Sequence, residues 1–142
     1  MTNLASPIAS RSRPIGYWVA TVLVAAELIV GGAWDVLRIP YVRAVVQHLG
    51  YPDHFLVILG VWKLLGAVAL LAPRFPRLKE WAYAGAVFNY TGAVASHLAV
   101  GDGAVAVLYP AVQLGLVAAS WALRPPARRD LAAPRPSPPP DG

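Results

Sequence analysis

Residues 57–71 read VILGVWKLLGAVALL, an apolar run fit for lipid except for Lys63 at its centre. Lys63 stands eight residues from Phe55 and eight from Leu71, which in a helix puts it ~12 Å from either end. A lysine side chain of about 6 Å cannot snorkel that distance to water. Alone in hydrocarbon it costs ~2.5–3.5 kcal/mol on insertion scales, so it needs an acid or a water-filled cavity beside it. The run therefore predicts a membrane crossing whose lysine has a partner on another crossing.

The rest of the chain agrees with that setting. Hydrophobic residues make up 57% of the 142 and charged residues only 13%, against roughly 25% charged in a soluble domain. The charges fall in short blocks between long uncharged runs, a pattern that suits lipid and not a soluble surface. There is no cysteine, which excludes disulfides, thiol redox relays, thiolate metal sites and iron–sulfur clusters.

Four runs approach the ~20 residues that a crossing needs: Ile15 to Leu37, His54 to Ala72, Glu80 to Val100 and Ala104 to Leu123. The first is too long for a secretory signal core and is interrupted by Glu27, so it reads as a retained span. Between the first two, Val42, Val45, Val46 and Leu49 recur at helical spacing, with Pro40 suited to a first turn and Gly50 and Pro52 to a stop. That segment predicts a short helix lying in the interface, or a loop with an apolar face. The connections 73–80 and 100–103 are tight, which makes consecutive spans antiparallel neighbours. The expected fold is an all-α integral membrane protein, an antiparallel four-helix bundle over 15–123, flanked by an N-terminal arm (1–14) and a tail (124–142). The tail holds half of the 14 prolines and few large apolar side chains, so it reads as disordered. Its PxxP at Pro136–Pro139 reads as part of a plain tail.

Orientation follows from the cations outside the spans. Arg11, Arg13, Arg74, Arg77, Lys79, Arg124, Arg128, Arg129 and Arg135 share one side, against Arg38 and Arg43 on the other, which places both termini in the cytoplasm of a cell with an inner or plasma membrane. Tyr17, Trp18, Trp81, Tyr83 and Trp121 then fall at the inner edge, and Trp34, Tyr41 and Tyr51 at the outer one.

Each span carries one polar residue near its middle: Glu27, Lys63, Asn89 and Gln113. The first two spans run in opposite directions, so Glu27 and Lys63 meet at one depth as an ion pair or a pair sharing a proton. Small residues accompany the polar ones at helical spacing: Gly31 beside Glu27, Gly60 and Ala67 beside Lys63, Gly85, Gly92 and Ser96 beside Asn89, and Ala106, Pro110 and Val117 beside Gln113. Such stripes let helices approach closely and bond across the gap. The four residues either satisfy one another and fix helix register, or line a cavity for a proton, a quinone headgroup or a small polar solute. Pro110 frees the Ala106 carbonyl near Gln113 and would open room there.

A second set, Asp35, His54, Ser96, His97 and Asp102 with Asp53, falls at the outer ends of the spans. No ligand spacing of a metal or haem site is present, so capping is the expected job: Asp102 at the start of the fourth span, Asp35 paired with Arg38. No catalytic or nucleotide-binding motif appears, and topology with anionic lipid explains the basic residues without nucleic acid.

These residues resemble a family. LGYP at 49–52, GVWKLLGA at 60–67, the P-x-x-P-x-L-K-E-W-A-Y-A-G turn ending at Gly85, and SHLAVGD at 96–102, with GGAWDVLRIP at 31–40, are similar to the DoxX-like family of small, mostly bacterial, four-span membrane proteins. The family takes its name from a membrane subunit associated with thiosulfate and quinone oxidoreduction. The resemblance implies the fold and provides no catalytic residue to place. Lys63, Glu80, Ser96, His97 and Asp102 lie within its motifs.

The leading functional expectation is an accessory membrane component without enzyme activity of its own, serving a quinone-linked redox partner. Its alternative is a small proton-coupled transporter or exporter component using Glu27 and Lys63. A third reading is a scaffold that only assembles partners. No resident cofactor is expected other than a quinone, and the partners foreseen are the bilayer and either a second copy or a redox subunit.

Overall fold

The computed structural model describes residues 7–129; the segments 1–6 and 130–142, with Pro136–Pro139 and most of the expected disordered tail, lie outside the described residues. Among the described residues there are five α-helices and no strand: α1 (Pro7–Leu37), α2 (Pro40–His48), α3 (His54–Leu71), α4 (Pro76–Ala99) and α5 (Ala104–Leu123), followed by a 3-10 turn at Pro126–Arg128.

Proline and glycine set most of the boundaries. The helix α2 begins at Pro40, which has no N–H to lose in a first turn. It ends before Gly50, whose φ of 85° lies in the left-handed region that glycine enters without penalty. Gly101, with φ 77°, turns the chain in the same way between α4 and α5. Two expected boundaries move. The first helix starts at Pro7 instead of Ile15 and continues through Pro14, eight residues in, where the proline gives up one intrahelical N–H bond without ending the helix. The α4 helix starts at Pro76, so the expected 73–80 turn shortens to residues 72–75, and Lys79 and Glu80 already belong to a helix. Arg74 makes that tight turn with φ 68°, and Arg38 makes the one after α1 with φ 51°. Each such residue costs roughly 1–2 kcal/mol.

The long helices form a closed set of contacts, in which α1 packs against α3 and α5, and α4 also packs against α3 and α5. Their directions can be read from paired residues. Leu28 lies against Gly66 and Gly32 against Gly60, so α1 and α3 are antiparallel; Gly16 meets Leu123 and Thr21 meets Ser120, so α1 and α5 are too. At the α1–α3 crossing a Cβ on Gly60 would stand 2.6 Å from the Gly32 carbonyl oxygen and 2.8 Å from Val36. Only the absence of a side chain lets these backbones meet.

The core comprises Val24, Leu28, Ala67, Leu70, Tyr83, Ala86, Tyr90 and Val117. The periphery is apolar as well: Trp62, Val68, Trp81, Phe88 and Val105 all point outward. A surface of this kind suits acyl chains. Three helices are long and apolar enough to cross a membrane: α1 over Arg11–Leu37, α3 and α5. The helix α4, expected as a fourth crossing, falls short of that composition because Asn89, Tyr90, Thr91, Ser96 and His97 interrupt its apolar residues. The small-residue stripe expected to seat α4 is not used, since Gly85 and Gly92 are exposed and nothing stands where their side chains would be. The expected inner aromatic edge also divides. Trp18, Trp81 and Trp121 are outward, whereas Tyr17 and Tyr83 are buried in the interior.

Candidate functional site

Lys63 is held between two carboxylates of α1. Its Nζ stands 3.6 Å from Glu27 Oε1 and 3.1 Å from Asp35 Oδ2, and all three side chains are largely buried. The α-helical repeat explains how one cation reaches both acids: Glu27, Gly31 and Asp35 succeed one another at intervals of four, on one face of α1. Gly31 between them leaves room, because a Cβ there would come 2.8 Å from Glu27 Oε1 and 3.3 Å from Lys63 Nζ. The Gly32–Gly60 crossing brings α3 close enough for Lys63 to bridge.

The two carboxylates are held differently. Glu27 accepts from the Tyr90 hydroxyl at Oε2 and from the Tyr109 hydroxyl at Oε1, the latter at 3.5 Å. Asp35 Oδ2 is buried and has Lys63 Nζ, at 3.1 Å, as its ion-pair partner, with no hydroxyl bonded to it among the described residues. The site thus sets one ammonium against two carboxylates in a medium where charge is poorly screened.

The expected pair of Glu27 and Lys63 is brought together, while the rest of the expected layer is not. Neither Asn89 nor Gln113 hydrogen-bonds to Glu27 or Lys63 among the described residues; Gln113 Oε1 is buried without a partner. Tyr90 and Tyr109 take the places expected for them. The α5 helix runs unbroken through Pro110, itself buried.

The expected outer-end set separates. Asp35 joins Lys63 instead of Arg38. Asp102 does not cap α5, whose first turn has no side-chain cap. Its carboxylate bridges two imidazoles, His97 Nδ1 at 2.6 Å and His48 Nε2 at 2.7 Å, tying the end of α2 to the end of α4. Hydrogen bonds from His97 and then His48 hold Asp102 below its ordinary value of 3.8. Ser96 Oγ donates to the Gly92 carbonyl and meets the Tyr51 hydroxyl at 2.9 Å. His54 is exposed and takes no part in either contact. Beside them Asp53 accepts from Gln47 at 2.8 Å and from Arg43 at 2.5 Å, and these two bonds lower it, Gln47 contributing more.

Two further polar clusters had no signal in the pattern of charges. A buried hydroxyl chain links α1, α5 and α4: Thr21 Oγ1 to Ser120 Oγ at 2.7 Å, and Ser120 Oγ to the Tyr83 hydroxyl at 2.8 Å. At the arginine-rich end, Arg124, expected in the disordered tail, is buried; it pairs with Glu80 and lies 5.1 Å over the Tyr83 ring. Lys79, ahead of the expected third span, donates to the Ala69 and Leu70 carbonyls at 3.1 and 2.6 Å and so caps the last turn of α3. Burial, with Arg128 and Arg124 adding to it, pulls Lys79 down to about 8.

A sequence model described as the DoxX-like family matches residues 19–120, and the chain belongs to that family. The matched region contains Glu27, Asp35, Lys63, Tyr90 and Tyr109. With three apolar helices of crossing length, membership marks a membrane protein. No curated protein and no solved structure matches the chain.

Proposed function

We propose, with membership of the DoxX-like family as the premise, that this is a four-span protein of a bacterial inner membrane, both ends cytoplasmic, working as a proton-coupled component. The observation that carries this reading is Lys63 within ion-pair reach of both Glu27 and Asp35. Two carboxylates and one ammonium reach neutrality by binding one proton, shared over the cluster. The Tyr90 and Tyr109 hydroxyls donate to Glu27 and favour its carboxylate form, whereas among the described residues no hydroxyl donates to Asp35, and on that difference the proton is assigned to Asp35. A proton on Asp35 weakens its hold on Lys63, and the ammonium then moves toward Glu27. Proton binding thereby couples to the α1–α3 contact, because Lys63 sits beside the Gly32–Gly60 crossing.

The arrangement of α4 supports a fourth span. Despite its polar residues it closes the helix set between α3 and α5, and its Tyr90 reaches Glu27.

Proteoliposomes with an entrapped pH dye test the reading, using a panel of small polar solutes. The wild-type protein is expected to show proton movement stimulated by at least one solute, and Lys63→Ala to lose it. Stimulated movement that survives Lys63→Ala would refute the proton-coupled role.

A further inference from the structure

Three guanidiniums converge where α5 ends. Arg13 from α1, with Arg124 and Arg129 beyond α5, lines a cleft of about 350 Å³ together with Trp121 and Ala122. Among the described residues, the acceptors at the cleft do not match this charge. Glu80 is engaged by Arg124 and by the Trp121 indole. The Ala122 carbonyl takes one N–H from Arg13, at 3.5 Å, and one from Arg129. Each guanidinium carries five donors, so most of them remain free of these bonds.

Arg124 decides the matter. It is only 3% exposed, and its Nε and Nη1 are buried without a hydrogen-bond partner among the described residues. Capping the C-terminal end of α5 accounts for the Ala122 contacts, and the Tyr83 and Trp121 rings lie 5.1 and 5.9 Å from the Arg124 guanidinium, but neither gives Nε or Nη1 a hydrogen-bond acceptor. The surplus of positive charge is felt nearby, since Arg128 and Arg124 add to the burial that lowers Lys79. Arg128 is itself occupied, on the Tyr17 hydroxyl and 4.8 Å over the Trp18 ring.

We infer that this cleft binds the phosphate of an anionic lipid headgroup through Arg13, Arg124 and Arg129. The planar guanidinium fork fits phosphate oxygens better than any other cationic side chain. Trp121 and Trp18, both half exposed, mark this end of the helices as headgroup depth, and the outward apolar face of α5 continues from the cleft for an acyl chain. The site lies apart from Lys63 and does not depend on the proton reading.

Native mass spectrometry of the full chain, released from detergent micelles with phosphatidylglycerol, phosphatidylcholine or inorganic phosphate, tests this assignment. Phosphatidylglycerol is expected to stay bound and phosphatidylcholine to be lost. The double variant Arg13→Gln/Arg129→Gln, altered only at exposed positions, should retain phosphatidylglycerol roughly thirtyfold more weakly. Should that variant not fold, Arg129→Gln alone, outside every α-helix, should lose about fivefold. Equal retention of the two lipids, or unchanged retention in the variants, would overturn the site. Inorganic phosphate binding tightly while phosphatidylglycerol does not would overturn the lipid as its source.

Discussion

A charge in hydrocarbon is too costly to be left unexplained, and for that reason Lys63 could be read from the sequence alone. Its ~2.5–3.5 kcal/mol insertion cost requires a partner, and the antiparallel path made Glu27 the partner at hand. Asp35 was harder to place. It lies near the end of α1 beside Arg38, where an ordinary surface pair suffices, yet the helical face it shares with Glu27 turns it inward to Lys63. Hydroxyls give no such warning. Tyr90, Tyr109, Thr21 and Ser120 are tolerated both in lipid-facing and in buried positions, so only coordinates reveal that the first two hold Glu27. Asp102 provides a prediction at this scale. Its folded pKa is depressed by His97 and His48, so its contribution to stability is complete above the unfolded value near 4 and is lost as pH falls through the lower folded one. Acid titration monitored by circular dichroism should show wild type losing stability below about pH 4 more steeply than Asp102→Asn. Equal acid profiles would remove the bridge from the account.

Among the elements, periodicity and punctuation were legible: the short helix after Pro40, the stop at Gly50 and the turn at Gly101 all follow from residue type. The glycines were legible only in part. Gly60 was expected on a contact face and makes one, whereas Gly85 and Gly92, with the same spacing logic, face outward. Spacing reports that residues share a face but not which neighbour the face meets. At the α1–α3 crossing the consequence is sharp, because a Cβ on Gly60 meets backbone oxygen at 2.6 Å, and backbone cannot rotate aside. Gly60→Ala should therefore cost ~1–3 kcal/mol by overpacking, while Gly85→Ala, in open space, should be neutral or slightly stabilising. Thermal unfolding in detergent micelles distinguishes them. Comparable losses in both variants would mean that the crossing is not where these contacts put it.

For the molecule as a whole, the all-helical membrane character was legible from composition, and the closed order of α1, α3, α4 and α5 follows from short antiparallel connections. The buried position of Arg124 was not, because a proline-rich neighbourhood concealed its contacts with Glu80 and Tyr83. The proposed orientation can be tested directly, since the chain has no native cysteine. In intact bacterial cells a membrane-impermeant maleimide should label His54→Cys and leave Arg77→Cys unlabelled until the membrane is opened. The reverse pattern would invert the topology. The central claim, that Lys63 joins α3 to α1 by sharing both Glu27 and Asp35, is tested most directly by unfolding free energies in micelles. Lys63→Met alone leaves two buried acids without a counter-ion and is predicted to cost ~3–5 kcal/mol, while adding Glu27→Gln and Asp35→Asn recovers most of that loss. A Lys63→Met variant as stable as wild type, or a triple variant no more stable than the single one, would contradict it.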